Sequence, residues 1–266
     1  MISTLALLRA VACVVPFAQA RSMECRSNQP DIPLRISPLG ASVTWGTGST
    51  DGNGYRGPLR ASLVSAGYTV NMVGFTSNGR SKQYLELPHA PAVRSLRVKD
   101  NENDGYPGLW VREIHEKSDR VSRELEPNLF LINAGTNNCV GGESPDRIDA
   151  AMDDLMDDIF EDNSTVIILS GLLVNAKPDV DECRRRVNEK YSAKVASSVS
   201  AGFKAVYAEM SAITVGDLVD GTHPNDGGYK KMADGWFRAI QEASNKGWID
   251  RAVSVPGIPD DGNEGL

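Results

Sequence analysis

Three histidines, His89, His115 and His223, are the whole supply of imidazole bases in this chain of 266 residues. A hydrolase that works near neutral pH through a histidine base therefore has few places to hold it. His115 lies among Glu113, Glu116 and Lys117 on a predicted helix, which suits a solvated position. His89 sits in the proline-rich loop Leu87-Pro88-His89-Ala90-Pro91, with no obvious partner. His223 belongs to Asp220-Gly221-Thr222-His223-Pro224. A carboxylate three residues before a histidine, with glycine between, can fold back in one turn and accept the proton on the imidazole's other nitrogen. That bond fixes the tautomer and steadies the imidazolium formed when the histidine takes a proton from a nucleophile. The same spacing also suits a capped loop in which the imidazole is satisfied for structural reasons.

Three further segments carry groups that could complete such chemistry. In Ile36-Ser37-Pro38-Leu39-Gly40-Ala41-Ser42-Val43-Thr44-Trp45-Gly46 an apolar run ends in Gly-Ala-Ser. Ser42 thus stands where a strand finishes, exposed as a nucleophile must be, and its own N–H can face a developing oxyanion. An N-cap serine is the plainer alternative. The segment is not the G-x-S-x-G elbow, because Thr44 stands where that motif has glycine. In Phe130-Leu131-Ile132-Asn133-Ala134-Gly135-Thr136-Asn137-Asn138 a second apolar run ends in glycine and amides. An Asn side chain there can donate to an oxyanion, or can simply bond its own backbone. In Asn103-Asp104-Gly105-Tyr106-Pro107-Gly108-Leu109-Trp110 a glycine just before a helix can bring its N–H close to a ligand, or can serve a plain turn.

The elements that would position these groups follow from the apolar pattern. Short runs rich in Val, Ile, Leu and aromatics predict buried parallel strands over Leu34–Leu39, Tyr68–Val73, Asn128–Ala134, Thr165–Leu169 and Lys204–Ala208. Helical patterns separate them over Pro58–Ser65, Leu109–Val121, Asp181–Ser200 and Asp226–Ala243, with another opening at Ser144-Pro145. In that last helix Ile148, Met152, Leu155, Met156, Ile159 and Phe160 form an apolar stripe. Asp149, Asp153, Asp154, Asp157 and Asp158 fill the opposite, solvated face. Strands alternating with helices imply an α/β domain with a parallel sheet, right-handed crossovers and helices on both faces. In such sheets the site collects at the carboxyl ends of the strands.

Taken in order, these four segments resemble the blocks of the SGNH (GDSL-like) hydrolase family. The first resembles its G-D-S, then come its Gly block, its G-x-N-D and its D-x-x-H-P. The resemblance implies Ser42 as nucleophile, His223 as general base and Asp220 as the group that orients it. It implies an oxyanion hole of the Ser42 and Gly108 N–H groups with the Asn137 side chain. The fold implied is a flavodoxin-like three-layer α/β/α sandwich on a five-stranded parallel sheet. The chain most resembles fungal carbohydrate esterase family 3 acetylxylan esterases, and Thr50-Asp51-Gly52-Asn53-Gly54-Tyr55-Arg56 supports that branch. Two positions depart from the pattern: Ala41 and Asn138 stand where the family has Asp. The implied reaction is ester hydrolysis through an acyl-enzyme, with no cofactor. Some members of that group carry calcium, but no loop here is assigned to a metal. The expected substrate is an acylated carbohydrate such as acetylxylan, or another small ester. A lipolytic esterase for longer acyl chains, and a catalytically silent carbohydrate-binding protein on the same fold, remain as alternatives. Trp45, Tyr55, Tyr106 and Trp110 lie near the blocks, where aromatic faces suit sugar stacking or core packing.

Composition bounds the setting. A formal net charge of -7 with no basic cluster excludes nucleic acid and an anionic membrane surface as expected partners. Residues 1–20 read as a signal peptide, dominated by Ala, Leu and Val from Ile2 to Phe17, with Arg9 interrupting the run, and ending in Ala18-Gln19-Ala20. The expected organisation is that leader, a hydrolase domain over 21–250 and a disordered tail over 251–266 rich in Gly, Pro and acid. The expected location is extracellular. Cleavage removes Cys13 and leaves Cys25, Cys139 and Cys183. Cys139 follows the Asn137 loop and Cys183 starts the helix after the next strand, so both fall at the same end of a parallel sheet and are expected to pair. Asn163-Ser164-Thr165 is the one glycosylation sequon.

Overall fold

A computed structural model describes residues 32–79, 100–162 and 165–261. The expected leader, Cys13, Cys25, His89 and the sequon residue Asn163 lie outside the described residues.

Each of the five expected strands forms. β1 (Leu34–Gly40) is followed by α1 (Ser42–Trp45), α2 (Arg56–Ser65), β2 (Val70–Met72), β3 (Thr76–Ser77) and β4 (Glu102–Gly105). Then come α3 (Val111–Leu125), β5 (Leu129–Asn133), α4 (Thr136–Val140), α5 (Pro145–Asp162), β6 (Val166–Ser170), α6 (Pro178–Ser200), β7 (Ala205–Ala208) and α7 (Asp226–Asn245). β2, β1, β5, β6 and β7 pair in that order, all parallel. The expected count of five strands is low by two: among the described residues the sheet has seven. β4 pairs in parallel with the end of β1, and β3 lies antiparallel to β4. Neither carries an apolar run; tertiary pairing rather than an apolar pattern makes them strands.

Alternation along the strands divides the core into two layers. Leu34, Ile36, Leu129, Leu131, Val166, Ile168 and Val206 pack with Leu59 and Leu63 of α2 and with Tyr229, Met232, Trp236 and Ile240 of α7. Leu39, Phe130, Ile132, Ile167 and Leu169 face the other way. They pack with Val111, Ile114 and Val121 of α3, Ile148, Met152 and Leu155 of α5, and Val187, Tyr191 and Val195 of α6. This is the three-layer sandwich, and period-two alternation on strands buried on both faces is what builds it. The acidic side of α5 is solvated in part and otherwise paired, with α6 through Lys190 to Asp146 and Lys194 to Asp149 and Asp153, and with α3 through His115 to Asp158.

Register sets up the site. Gly40 at the end of β1 lies opposite Gly105 of β4 on one side and Asn133 of β5 on the other. Three chains therefore leave the sheet side by side at its carboxyl edge. They lead into Ser42, into Tyr106-Pro107-Gly108 and into Thr136-Asn137.

Candidate active site

Ser42 is the first residue of α1, a single turn whose C-terminal cap is Gly46 in the left-handed conformation. Ala41, buried, holds the N-cap position itself, so Ser42 is not the cap. The Ser42 Oγ lies 2.8 Å from His223 Nε2. On the other side of the ring, His223 Nδ1 lies 2.7 Å from Asp220 Oδ2. The other Asp220 oxygen accepts from the N–H groups of Thr222 and His223, at 3.0 and 2.8 Å. Burial raises the Asp220 pKa, but these bonds and the imidazole outweigh it and hold the carboxyl at about 2. Asp220 is thus ionised throughout the range in which enzymes work, and a permanently charged acceptor favours the tautomer with its proton on Nδ1.

The His223 loop follows β7, which two strands separate from β1, and reaches back across the sheet edge. Several contacts hold it there. Val219 N–H donates to the His223 carbonyl and Asn225 N–H to the Asp217 carbonyl, closing the loop on itself. Ala176 N–H donates to the Gly221 carbonyl, and the buried Asn175 side chain donates to Thr222 Oγ1 at 3.0 Å. The chain after Ser42 completes the seat. A Cβ on Gly48 would lie 2.7 Å from the Pro224 carbonyl oxygen and 3.2 Å from His223 Cβ, and its φ is +95°. Only glycine lets the two loops approach this closely.

Gly108 has φ +88°, and a Cβ there would meet open space. Its role as glycine is conformational: the left-handed turn directs the chain from β4 into α3. Asn137, in α4, donates through Nδ2 to the Leu109 carbonyl at 2.9 Å, tying its own loop to the Gly108 loop. Asn138 is buried and uses both ends of its amide. Its Oδ1 accepts from Val111 N–H at 3.1 Å and its Nδ2 donates to Glu143 at 2.5 Å. An Asp here would accept from Val111 but repel Glu143, which gives this departure from the family pattern a physical reason. Cys139 and Cys183 form a disulfide that fastens α4 to α6.

The structure thus brings Ser42, His223 and Asp220 into one hydrogen-bonded chain, and places Asn137 and Gly108 on linked loops at the same sheet edge. His115 is elsewhere, 2.5 Å from Asp158 of α5. Of the four aromatics, Tyr55 is fully buried against Trp236 and Tyr106 donates to Asp104. Trp110 keeps 38% of its surface exposed and Trp45 is half-buried. Sequence reasoning missed Asn175 as a support of the His223 loop, because its partner lies 47 residues away. Among the described residues no group of three or more His, Cys, Asp or Glu is placed to hold a metal ion. No described helix is long and apolar enough to cross a membrane.

The model of the GDSL-like lipase/acylhydrolase family matches residues 39–231. The chain belongs to this family of carboxylic ester hydrolases. It is similar to a multidomain esterase of Ruminococcus flavefaciens, 27% identical over 245 residues, a match that takes in 78% of this chain and 28% of that protein. The chain therefore spans little more than a quarter of that relative. Among solved structures it is similar to a family 3 carbohydrate esterase of Clostridium thermocellum. The TM-score is 0.66 and the identity 22%, covering 80% of this chain and 98% of that one. A carbohydrate esterase family 3 structure from Talaromyces cellulolyticus gives 0.65 and 19%, covering 80% and 99%. At these identities the likeness is one of fold.

Proposed function

We propose that the protein is a serine esterase that removes acetyl groups from plant cell-wall polysaccharide such as acetylxylan. The observation that carries the esterase reading is the unbroken chain from Ser42 Oγ through His223 to Asp220, at 2.8 and 2.7 Å. In this reading Ser42 Oγ attacks the ester carbonyl carbon while its proton passes to His223 Nε2. Asp220 accepts the Nδ1 proton of the imidazolium in a hydrogen bond and stays ionised. The tetrahedral oxyanion is met by the Ser42 and Gly108 N–H groups and by Asn137. Collapse breaks the bond to the sugar oxygen, which takes the proton from His223, and leaves an acetyl group on Ser42. Water then attacks that acyl-enzyme, again deprotonated by His223, and releases acetate.

Two kinds of support bear on the substrate. The neighbouring folds include carbohydrate esterases from a bacterium and a fungus. Trp110 and Val140, 38% and 49% exposed, offer an apolar rim on the loops that carry Gly108 and Asn137. The reading extends to an extracellular setting. Residues 1–20 act as the leader, the mature chain begins near Arg21, and the Cys139–Cys183 bridge suits an oxidising compartment.

The test is a rate profile over p-nitrophenyl esters from acetyl to long chain, beside acetate release from acetylxylan. A steep preference for acetyl with release from the polymer is expected. Faster turnover of long chains, with none from the polymer, replaces this substrate by a lipid ester. Ser42→Ala should lower all these rates by about 10³ or more with unchanged circular dichroism. A folded variant with most of its activity removes Ser42 from the role.

A further inference from the structure

Beneath Ser42 lies a charge the reaction does not use. Arg56 is the first residue of α2 and only 2% exposed. Among the described residues its partners are main-chain carbonyls. Nε donates to Thr44 at 3.1 Å, and Nη2 to Trp45 at 3.2 Å, Gly52 at 3.2 Å and Asn78 at 2.9 Å. Nη1 donates to Asn101 at 2.8 Å. Thr44 and Trp45 are the last two residues of α1. A one-turn helix cannot sustain itself, and its final carbonyls have no partners further along it. A cation at that end satisfies them and opposes the partial negative charge gathered there. Asn78 adds a parallel brace, donating through Nδ2 to the same Trp45 carbonyl at 2.9 Å and to Gly52 at 3.2 Å.

We propose that Arg56 is a positioning residue for the reaction, holding the α1 turn so that Ser42 Oγ stays in line with His223; this rests on Ser42 being the nucleophile. The planar fork reaches four separate segments at once, which the three donors of a lysine on a flexible stem cannot reproduce. A burial of this kind is costly for a charge whose only task is stability, since apolar residues fill such space as well. What the fork supplies instead is a fixed angle for the turn, and small displacements of a reacting group lower rates steeply.

The test pairs Arg56→Lys with Arg35→Lys. Arg35 is as deeply buried and also donates to carbonyls, those of Leu125, Glu126 and Val253, but at the amino end of β1, away from Ser42. Both variants lose a buried fork, so both should melt earlier. Rates are measured with p-nitrophenyl acetate well below either melting point, per Ser42 that reacts to completion with an organophosphorus ester. Arg56→Lys should lower kcat by about 10–100-fold, with KM within about twofold, and slow the labelling rate in parallel. Arg35→Lys should leave kcat and KM unchanged. Equal kcat in wild type and folded Arg56→Lys overturns the proposal, as does the same kcat loss in both variants. Should Arg56→Lys not fold, Asn78→Ala decides. A kcat loss of about 3–10-fold at constant KM supports the bracing of α1, and an unchanged kcat overturns it. Retained activity in Ser42→Ala would instead remove the nucleophile reading, and is read independently of either arginine.

Discussion

Asn137 has two amide protons, and the Leu109 carbonyl takes one of them. In the mechanism proposed above the other serves the oxyanion while the first keeps the bond that holds the loop. Asn137→Ala removes both at once. The expected loss is about 10²–10³ in kcat with little change in KM, measured with p-nitrophenyl acetate. A raised KM at constant kcat would make Asn137 a substrate-binding residue instead. Much of this site is legible from the sequence, because its parts sit in short motifs at strand ends or just before a helix: Ser42 after Gly40, Asn137 after Gly135, Asp220 three before His223. The supports are not legible in the same way. Arg56, Asn78 and Asn175 bond to groups brought in by tertiary structure, and no local spacing announces them. Arg56 does leave a trace. It occupies the apolar stripe of α2, three before Leu59 and seven before Leu63, where a charged residue must have buried partners.

At the scale of elements, the weak piece is α4. It has five residues, too few to persist alone, and it carries Asn137, Asn138 and Cys139. The bridge to Cys183 spans 44 residues of sequence and ties this turn to α6, which is 23 residues long. Closing such a loop is worth roughly 3–4 kcal/mol on the chain-entropy model. Reduction should therefore lower the melting temperature. It should also lower kcat at temperatures where the domain is still folded, because the loop loses its anchor before the core loses its packing. Activity and circular dichroism followed through a dithiothreitol titration check this; coincident loss of both would mean that the bridge serves stability alone. The pairing was readable from topology, since loops leaving adjacent parallel strands are neighbours. So were the five apolar strands β1, β2, β5, β6 and β7 and the five long helices, whose apolar patterns are clear. α1 and α4 escaped because one turn has no period to read. β4 escaped because Glu-Asn-Asp-Gly looks like a loop, and its pairing with Leu39 and Gly40 of β1 and with β3 is what makes it a strand.

At the scale of the whole molecule, the ionisable groups pull stability in opposite directions with pH. Asp104 is fully buried beside the Gly105–Gly108 turn. Its Oδ1 accepts from Tyr106 Oη and Phe75 N–H, while Oδ2 has no hydrogen-bond partner among the described residues. Burial raises its pKa from 3.8 to about 6, against those two bonds and Arg120. Asp100 is pushed the same way by burial, with Arg60 and the Met72 N–H opposing. Asp217 goes the other way: bonds from Lys231 and Thr214 hold it at about 2, as Asp220 is held. The signs follow from proton counting. Between about 4 and 6 the folded chain binds more protons than the unfolded one through Asp104, so stability falls as pH rises. Between about 2 and 4 it binds fewer through Asp217 and Asp220, so stability falls as pH drops. The net charge of -7 at pH 7, against a pI of about 5.1, adds self-repulsion on the alkaline side. The thermal midpoint should therefore peak at about pH 4–5 and decline toward pH 7. Asp104→Asn keeps an acceptor for Tyr106 and Phe75 but cannot ionise, so the decline between pH 4 and 7 should become shallower in that variant. Differential scanning fluorimetry across the range measures both curves. A midpoint that climbs steadily from pH 4 to 7, or an Asp104→Asn curve parallel to wild type, would show that the buried carboxyl does not govern the acid-side maximum.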